Sequence, residues 1–341
     1  TTGRLSVQDD HEGDWPLLRG GCDGSCEDRP NLRWAGLGAE SNALPGRQGK
    51  ARGLETRFNQ CHAQKHQMNR PPSSNHLSYV ALIGGDRCSL YTLQCLVESG
   101  SPPSGVVLVE QSGLSSRLAS ERRVMRRHGI SLRLSQISVG VVHRVVDGGR
   151  DQELLDQLFP DTERSEVLGR ASDQGIGVLE AQAYHSVEAL TFIRELDPAF
   201  LVCDTPFWVE KKVRELVPPT MVIGSHPGVV PRFRGAHSAF WCRYLNEEEK
   251  NGFSIFCIDE GVDSGPLIST HQRPYRSELS FRGNDYVLLE EASRYVVRVV
   301  KSLARGLNVG LTTQSPLKNK QIRRAPGLVD YLRFRVRERT R

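Results

Sequence analysis

From residue 77 onward the chain alternates short apolar runs with longer stretches of helical spacing. Residues 78–85 (SYVALIGG) form an apolar run closed by glycines, the pattern of a strand buried on both faces. A helix is predicted from Leu90 to Ser99, and a second strand over Gly105–Glu110. Leu114–His128 has the spacing of an amphipathic helix with a basic outer face. From Ile130 to Gly175 the pattern is weaker, mostly helical with charged patches. Ser186 is placed to cap a helix running to about Leu196. Further strands are predicted at Ala199–Cys203, Thr220–Gly224, Phe253–Ile258 and Leu267–Thr270. Helices are predicted at Val209–Val217, Ala236–Asn246 and Asp285–Arg305. Strands alternating with helices predict an α/β fold, a mostly parallel twisted sheet with helices on both faces.

Both ends of the chain depart from this pattern. Residues 1–75 mix Gly, Asn, Gln, Arg and Asp without a period and close on Pro-Pro-Ser-Ser-Asn (71–75). That composition predicts a largely disordered extension contributing little to the fold, with Trp15, Trp34 and Phe58 leaving room for a small docked element. Beyond Gly310 the chain turns basic, with Lys318, Lys320, Arg323, Arg324, Arg333, Arg335, Arg337, Arg339 and Arg341. A basic tail can bind RNA phosphates nonspecifically, but a solvated terminus is the simpler reading. The expected organisation is therefore an extension over 1–75, one domain over 76–310 and a basic tail over 311–341.

Composition adds limits. Hydrophobic residues make up 38% of the chain, somewhat below the roughly 45–50% of globular proteins, a figure that also counts Gly, and part of the chain is expected to be unpacked. No apolar run approaches the roughly 20 residues of a membrane helix, and the polar start has no leader-like apolar region. The first residue is Thr rather than Met, as expected of a fragment or processed form. The eight cysteines are scattered, as expected of reduced thiols in a cytoplasmic protein. Cys22, Cys26, Cys61 and His62 lack the two-residue spacing of a zinc knuckle, so no metal site is expected. The net charge of +5 does not by itself imply nucleic acid.

Candidate chemistry sits in three places. Gly84-Gly85 closes the first strand, but Arg87 and Cys88 stand where a dinucleotide fingerprint would continue, so the glycines read as a tight turn. Gly224-Ser225-His226-Pro227 follows a buried strand, and Pro231, Arg234 and Gly235 lie in the loop beyond. In open α/β sheets ligands bind just past the carboxyl ends of strands, which is where His226 falls. A lone histidine there is usually a satisfied core or capping residue. The second block opposes that reading: Asp259-Glu-Gly261-Val-Asp263-Ser264-Gly265 joins two apolar strands. Carboxylates in a loop are usually only solvated, but these glycines permit close backbone approach to a ligand.

Together the blocks resemble the folate-dependent formyltransferase family, which includes glycinamide ribonucleotide transformylase, methionyl-tRNA formyltransferase and sugar-nucleotide N-formyltransferases. One family motif is matched by His226, Pro227, Pro231 and Gly235, the other by Asp259, Gly261, Asp263, Ser264 and Gly265. A weaker resemblance runs from about Leu77 to Gly306. The resemblance implies a Rossmann-like formyltransferase fold, 10-formyltetrahydrofolate as formyl donor and an amine as acceptor. It implies His226 and Asp263 as the catalytic pair, with Gly224, Ser225, Pro227, Pro231, Arg234, Gly235, His237, Asp259, Gly261, Ser264 and Gly265 around the substrates. The Arg-Phe-Arg-Gly and Trp241 region is closer to the methionyl-tRNA and sugar branches, while the tail is too short for the β-barrel that methionyl-tRNA formyltransferases carry, so tRNA is not the favoured acceptor.

One departure matters. Where the family has a catalytic asparagine, this chain has Gly224, and Ser225 points to the opposite face of a regular strand. Formyl transfer needs a donor where the formyl oxygen becomes an oxyanion. A histidine beside a carboxylate supplies it, and the carboxylate, or a water it orients, can take the amine proton. Three functions fit these residues: formyl transfer to an amine, hydrolysis of the same folate, and a catalytically weak binding protein on the same fold.

Overall fold

The computed structural model describes residues 77–110, 125, 129–160, 162–315 and 322–339. The extension over 1–75, the candidate cysteines at 22, 26 and 61 and, apart from Met125, the helix predicted over Leu114–His128 lie outside the described residues.

Seven strands form one sheet among these residues. They are β1 (Tyr79–Gly84), β2 (Gly105–Val109), β3 (Gly177–Ala181), β4 (Phe200–Asp204), β5 (Val222–His226), β6 (Gly252–Cys257) and β7 (Leu267–Gln272). Their order is β3-β2-β1-β4-β5-β6-β7. The first five run parallel, while β6 and β7 pair antiparallel at one edge. The sheet is thus mostly parallel, as the apolar runs predict.

Why β1 is apolar at every position follows from its two covered faces. Tyr79, Ala81 and Ile83 join one core with Leu90, Leu93 and Leu96 of α1 (Arg87–Val97) and Leu288, Ala292, Val296 and Val300 of α8 (Phe281–Ala304). Val80 and Leu82 face the other core, with Ala189, Leu190 and Ile193 of α5 (Val187–Leu196). Asp86, Ser186 and Ser280 each accept a backbone N–H at a helix start, satisfying donors that the first turn leaves free.

The weakly patterned stretch after Ile130 resolves into α2 (Ile130–Val146), α3 (Gly148–Leu158) and α4 (Arg164–Asp173). The strand β3 escapes the sequence reading because it is a half-exposed edge strand with Glu180 turned to Arg164. The helix expected over Val209–Val217 shortens to α6 (Lys211–Arg214), and that expected over Ala236–Asn246 to α7 (Ser238–Tyr244).

The basic C-terminal stretch is not wholly a solvated terminus. Residues Leu328–Arg339 form α9, whose Tyr331 and Phe334 are 1% and 2% exposed in an aromatic cluster with Phe233, Phe240, Trp241 and Phe281. Burying two such rings stabilises by roughly 2 kcal/mol each. A helix this short is marginal alone, so packing decides the matter. Alternating arginines hide the signal in the sequence. No helix among the described residues is long and apolar enough to cross a membrane.

Candidate active site

The strand β5 extends two residues further than expected, so that His226 pairs with Ser254 of β6 at its carboxyl end. The chain then doubles back. Gly228 N–H donates to His226 O at 2.8 Å, the Val230–Pro231 peptide is cis, and Phe233 N–H donates to Val229 O at 3.0 Å. This brings Phe233 O to 2.8 Å from His226 Nε2, with Ser238 Oγ 3.1 Å from the same nitrogen. A Cβ on residue 228 would lie 2.4 Å from Ser238 Oγ and 2.6 Å from His226 Nε2, so only glycine leaves the imidazole its place.

The acidic loop after β6 is organised by its first aspartate. Asp259 Oδ1 accepts from Gly261 N–H at 2.9 Å and from Ser264 Oγ at 2.6 Å. A Cβ on Gly265 would lie 1.7 Å from Cys257 O, which holds that position to glycine. Between them Asp263 takes a left-handed backbone, φ 48°, and its Oδ2 accepts from Gly235 N–H at 2.8 Å. The same Oδ2 stands 3.7 Å from His226 Nδ1. The two motifs, 37 positions apart in sequence from His226 to Asp263, therefore meet at one point.

Gln314 locks this arrangement from outside both motifs. Its Nε2 donates to Asp263 O at 3.0 Å and to Gly265 O at 2.7 Å, while its Oε1 accepts from Arg234. Arg234 thus braces the loop. His237, also left-handed at φ 55°, precedes α7, and its Nδ1 lies 3.4 Å from Asp285.

His226 Nε2 faces the Phe233 carbonyl and so carries a proton in that bond. Nδ1 is then the nitrogen turned toward Asp263, and 3.7 Å exceeds a hydrogen bond, leaving room for Nδ1 to serve a ligand atom. The pair borders a cleft of about 580 Å³ at the carboxyl edge of the sheet. Gly224, Ser225, His226, Pro227, Gly261 and Asp263 line it, whereas Pro231, Arg234, Gly235, His237, Asp259, Ser264 and Gly265 stand behind it. Phe207, Trp208, Val209, Ile258 and Val262 form its apolar wall.

The adjoining end of the cleft, past β1 and β4, is acidic and was not singled out in the sequence. Asp86 and Asp204 line the cleft there, bridged by Ser89, whose Oγ lies 2.7 Å from Asp86 Oδ2 and 3.3 Å from Asp204 Oδ1. Thr92 Oγ1 also donates to Asp204. Burial, and then the neighbouring Asp86 charge, push the Asp204 carboxyl up to about 6.

Residue 224 brings no side-chain amide to the His226–Asp263 pair, and several donors of the two loops are engaged within the protein. Ser264 Oγ donates to Asp259, and the N–H groups of Gly228, Val230, Phe233 and Gly235 all donate within the protein. Among the described residues no cluster of three or more His, Cys, Asp or Glu has the arrangement of a metal site.

No protein-family model matches the chain. Curated relatives do. The methionyl-tRNA formyltransferase of Citrifermentans bemidjiense is 25% identical over 169 residues, covering 48% of this chain and 52% of the relative. That of Geobacter metallireducens is 31% identical over 98 residues, covering 29% of this chain and 31% of the relative. The chain spans about half the length of the relatives it matches over the longest stretches. Among solved structures, glycinamide ribonucleotide transformylase 1 from Symbiobacterium toebii is 15% identical with a TM-score of 0.46, covering 71% of this chain and 96% of that one.

Proposed function

We propose that this chain, a member of the formyltransferase family, moves a formyl group from 10-formyltetrahydrofolate to an amine. The observation that carries the reading is the His226–Asp263 pair, 3.7 Å apart on the rim of a cleft at the carboxyl end of β5, which the loop between β6 and β7 reaches. The cleft's volume is within the roughly 300–1,000 Å³ of small-molecule sites, and its Phe207–Val209 wall suits a flat heteroaromatic ring. The donor supplies the formyl carbon.

In this reading the amine nitrogen attacks that carbon, a new C–N bond forms, and the bond to the folate nitrogen breaks. The formyl oxygen gains negative charge facing His226 Nδ1, which carries a second ring proton for this step, while Nε2–H stays on Phe233 O and fixes the ring. Asp263 is held by Gly235 N–H and by Gln314 through its own backbone, so its free carboxylate edge takes the amine proton, directly or through water. The folate nitrogen leaves with the proton that Asp263 took from the amine, passed on directly or through water. The acceptor is an amine; methionyl-tRNA, the acceptor in the relatives' name, is one such amine.

A second reading, a catalytically weak protein or a hydrolase on the same fold, draws on one specific feature. Gly224 brings no amide, and the Ser264 hydroxyl is already donated to Asp259. The test follows tetrahydrofolate release from 10-formyltetrahydrofolate with and without amines. Amine-dependent release, lost in His226→Ala, supports transfer. Release without amine supports hydrolysis, binding without release supports a binding protein, and failure to bind folate ends the whole reading.

A further inference from the structure

The cleft carries a charge imbalance that formyl transfer alone does not use. Asp86 and Asp204 line the β1–β4 end of the cleft, next to the strand that carries His226, and no lysine or arginine lines the cleft among the described residues. The single Ser89 hydroxyl proton is shared between the two carboxylates. A carboxylate placed below the surface is ordinarily paired with a cation or neutralised, because desolvation penalises its charge. Among the described residues, the charged neighbour acting on Asp204 is another carboxylate, Asp86. Its remaining contacts are the hydroxyls of Ser89 and Thr92, the latter 2.7 Å from Ser293 Oγ.

We infer that Asp204 is a specificity-determining residue of the cleft, selecting an acceptor amine that carries a second, lasting positive charge. This rests on the formyl-transfer reading. The attacking nitrogen must be neutral to use its lone pair, so a charge that stays at Asp204 during reaction belongs to another group of the acceptor. The register fits: Cys203 of β4 lies beside Gly224 of β5, which sets Asp204 one strand away from the strand carrying His226. Neighbouring strands are about 4.8 Å apart, a separation that a short diamine spans. The folate donor is not the occupant of this end, because its own carboxylates are repelled there. A phosphate-bearing acceptor is disfavoured for the same reason.

The experiment uses the full chain and three probes: 1,4-diaminobutane, 1-aminobutane and O-phosphoethanolamine. Binding of 5-formyltetrahydrofolate, a non-reacting donor analogue, is measured first by calorimetry, and each amine is then titrated with and without it. The expected result is tighter binding of the diamine than of 1-aminobutane by about tenfold, shrinking with added salt, and weakest binding of the phosphate. In Asp204→Asn the diamine advantage falls below about twofold, with circular dichroism confirming the fold. A wild-type ranking with no diamine preference, or with the phosphate tightest, overturns the inference, as does a preference that survives in Asp204→Asn. Absence of folate binding instead removes the formyl-transfer reading, an outcome read in a separate step.

Discussion

Ile258 occupies the space that a side chain on residue 224 would need. A Cβ at Gly224 would lie 2.9 Å from Ile258 Cδ1 and 3.0 Å from its Cγ1, with the Cys203 carbonyl at 3.6 Å. The obstacle is thus the flexible end of one side chain, not backbone. Gly224→Asn alone is expected to raise formyl transfer by less than about tenfold, because the new amide competes with Ile258 for its place. Adding Ile258→Ala clears that space and is expected to bring the rate gain nearer 10²-fold, the usual worth of one oxyanion donor. The measurement is the initial rate of amine-dependent tetrahydrofolate release. Equal rates in the parent and both variants would show that the missing amide does not limit the reaction.

Asp263→Asn separates position from proton transfer. An Asn side-chain oxygen can still accept from Gly235 N–H, as Asp263 Oδ2 does at 2.8 Å, so the loop keeps its anchor. The carboxylate that takes the amine proton is gone. The expected outcome is a fall in kcat of about 10²–10⁴-fold with donor binding little changed. A loss confined to KM would instead place Asp263 in substrate binding.

Gln314→Ala leaves Asp263 O and Gly265 O without their side-chain donor and frees Arg234. Gln314 is 8% exposed, so water replaces those bonds poorly. A cost of about 1–3 kcal/mol is expected, together with reduced kcat as Asp263 drifts from His226. Denaturant unfolding and steady-state kinetics check both. Gln314→Glu keeps an acceptor for Arg234 but turns a carboxylate on two carbonyls, so it is expected to recover little of the loss.

Much of the site was legible in the sequence because its residues are local. His226 closes a buried strand of the parallel part of the sheet, where ligands bind, and Asp263 lies in the loop between the antiparallel strands β6 and β7, which returns to the end of β5. The glycines of both loops announce close backbone approach. Other parts depend on long-range packing that no window shows. Gln314 is 51 positions from Asp263 in a stretch without periodicity. Asp204 ends an apolar strand, where a polar residue reads as the start of a loop, and only the tertiary fold sets Thr92 and Ser89 against it. Edge strand β3 pairs on one side only, so its residues carry too little apolar pattern to stand out. The helix α9 buries two aromatic rings among arginines, and its hydrophobic stripe is too narrow to separate from a basic tail.

The raised Asp204 carboxyl makes a stability prediction with a definite sign. Its folded pKa is pushed to about 6 by burial, then by Asp86, against roughly 3.9 for an unfolded aspartate. Between those values the folded chain holds more protons than the unfolded one, so this residue's contribution falls as pH rises from about 4 to about 6. Above that window the charged carboxylate destabilises the fold. Asp204→Asn removes the charge and is expected to raise stability by about 1–3 kcal/mol near pH 7.5, with the gain vanishing near pH 4. Glu247 acts in the opposite sense: Arg232, aided by Lys250, holds its carboxyl down to about 2. Its stabilisation is complete above about 4.5 and is lost as pH falls toward 2, a window below the one Asp204 controls. Denaturant unfolding of parent and variant at a series of pH values separates the two. A variant gain that stays constant from pH 4 to 7.5 would assign it to altered packing rather than to the charge on Asp204.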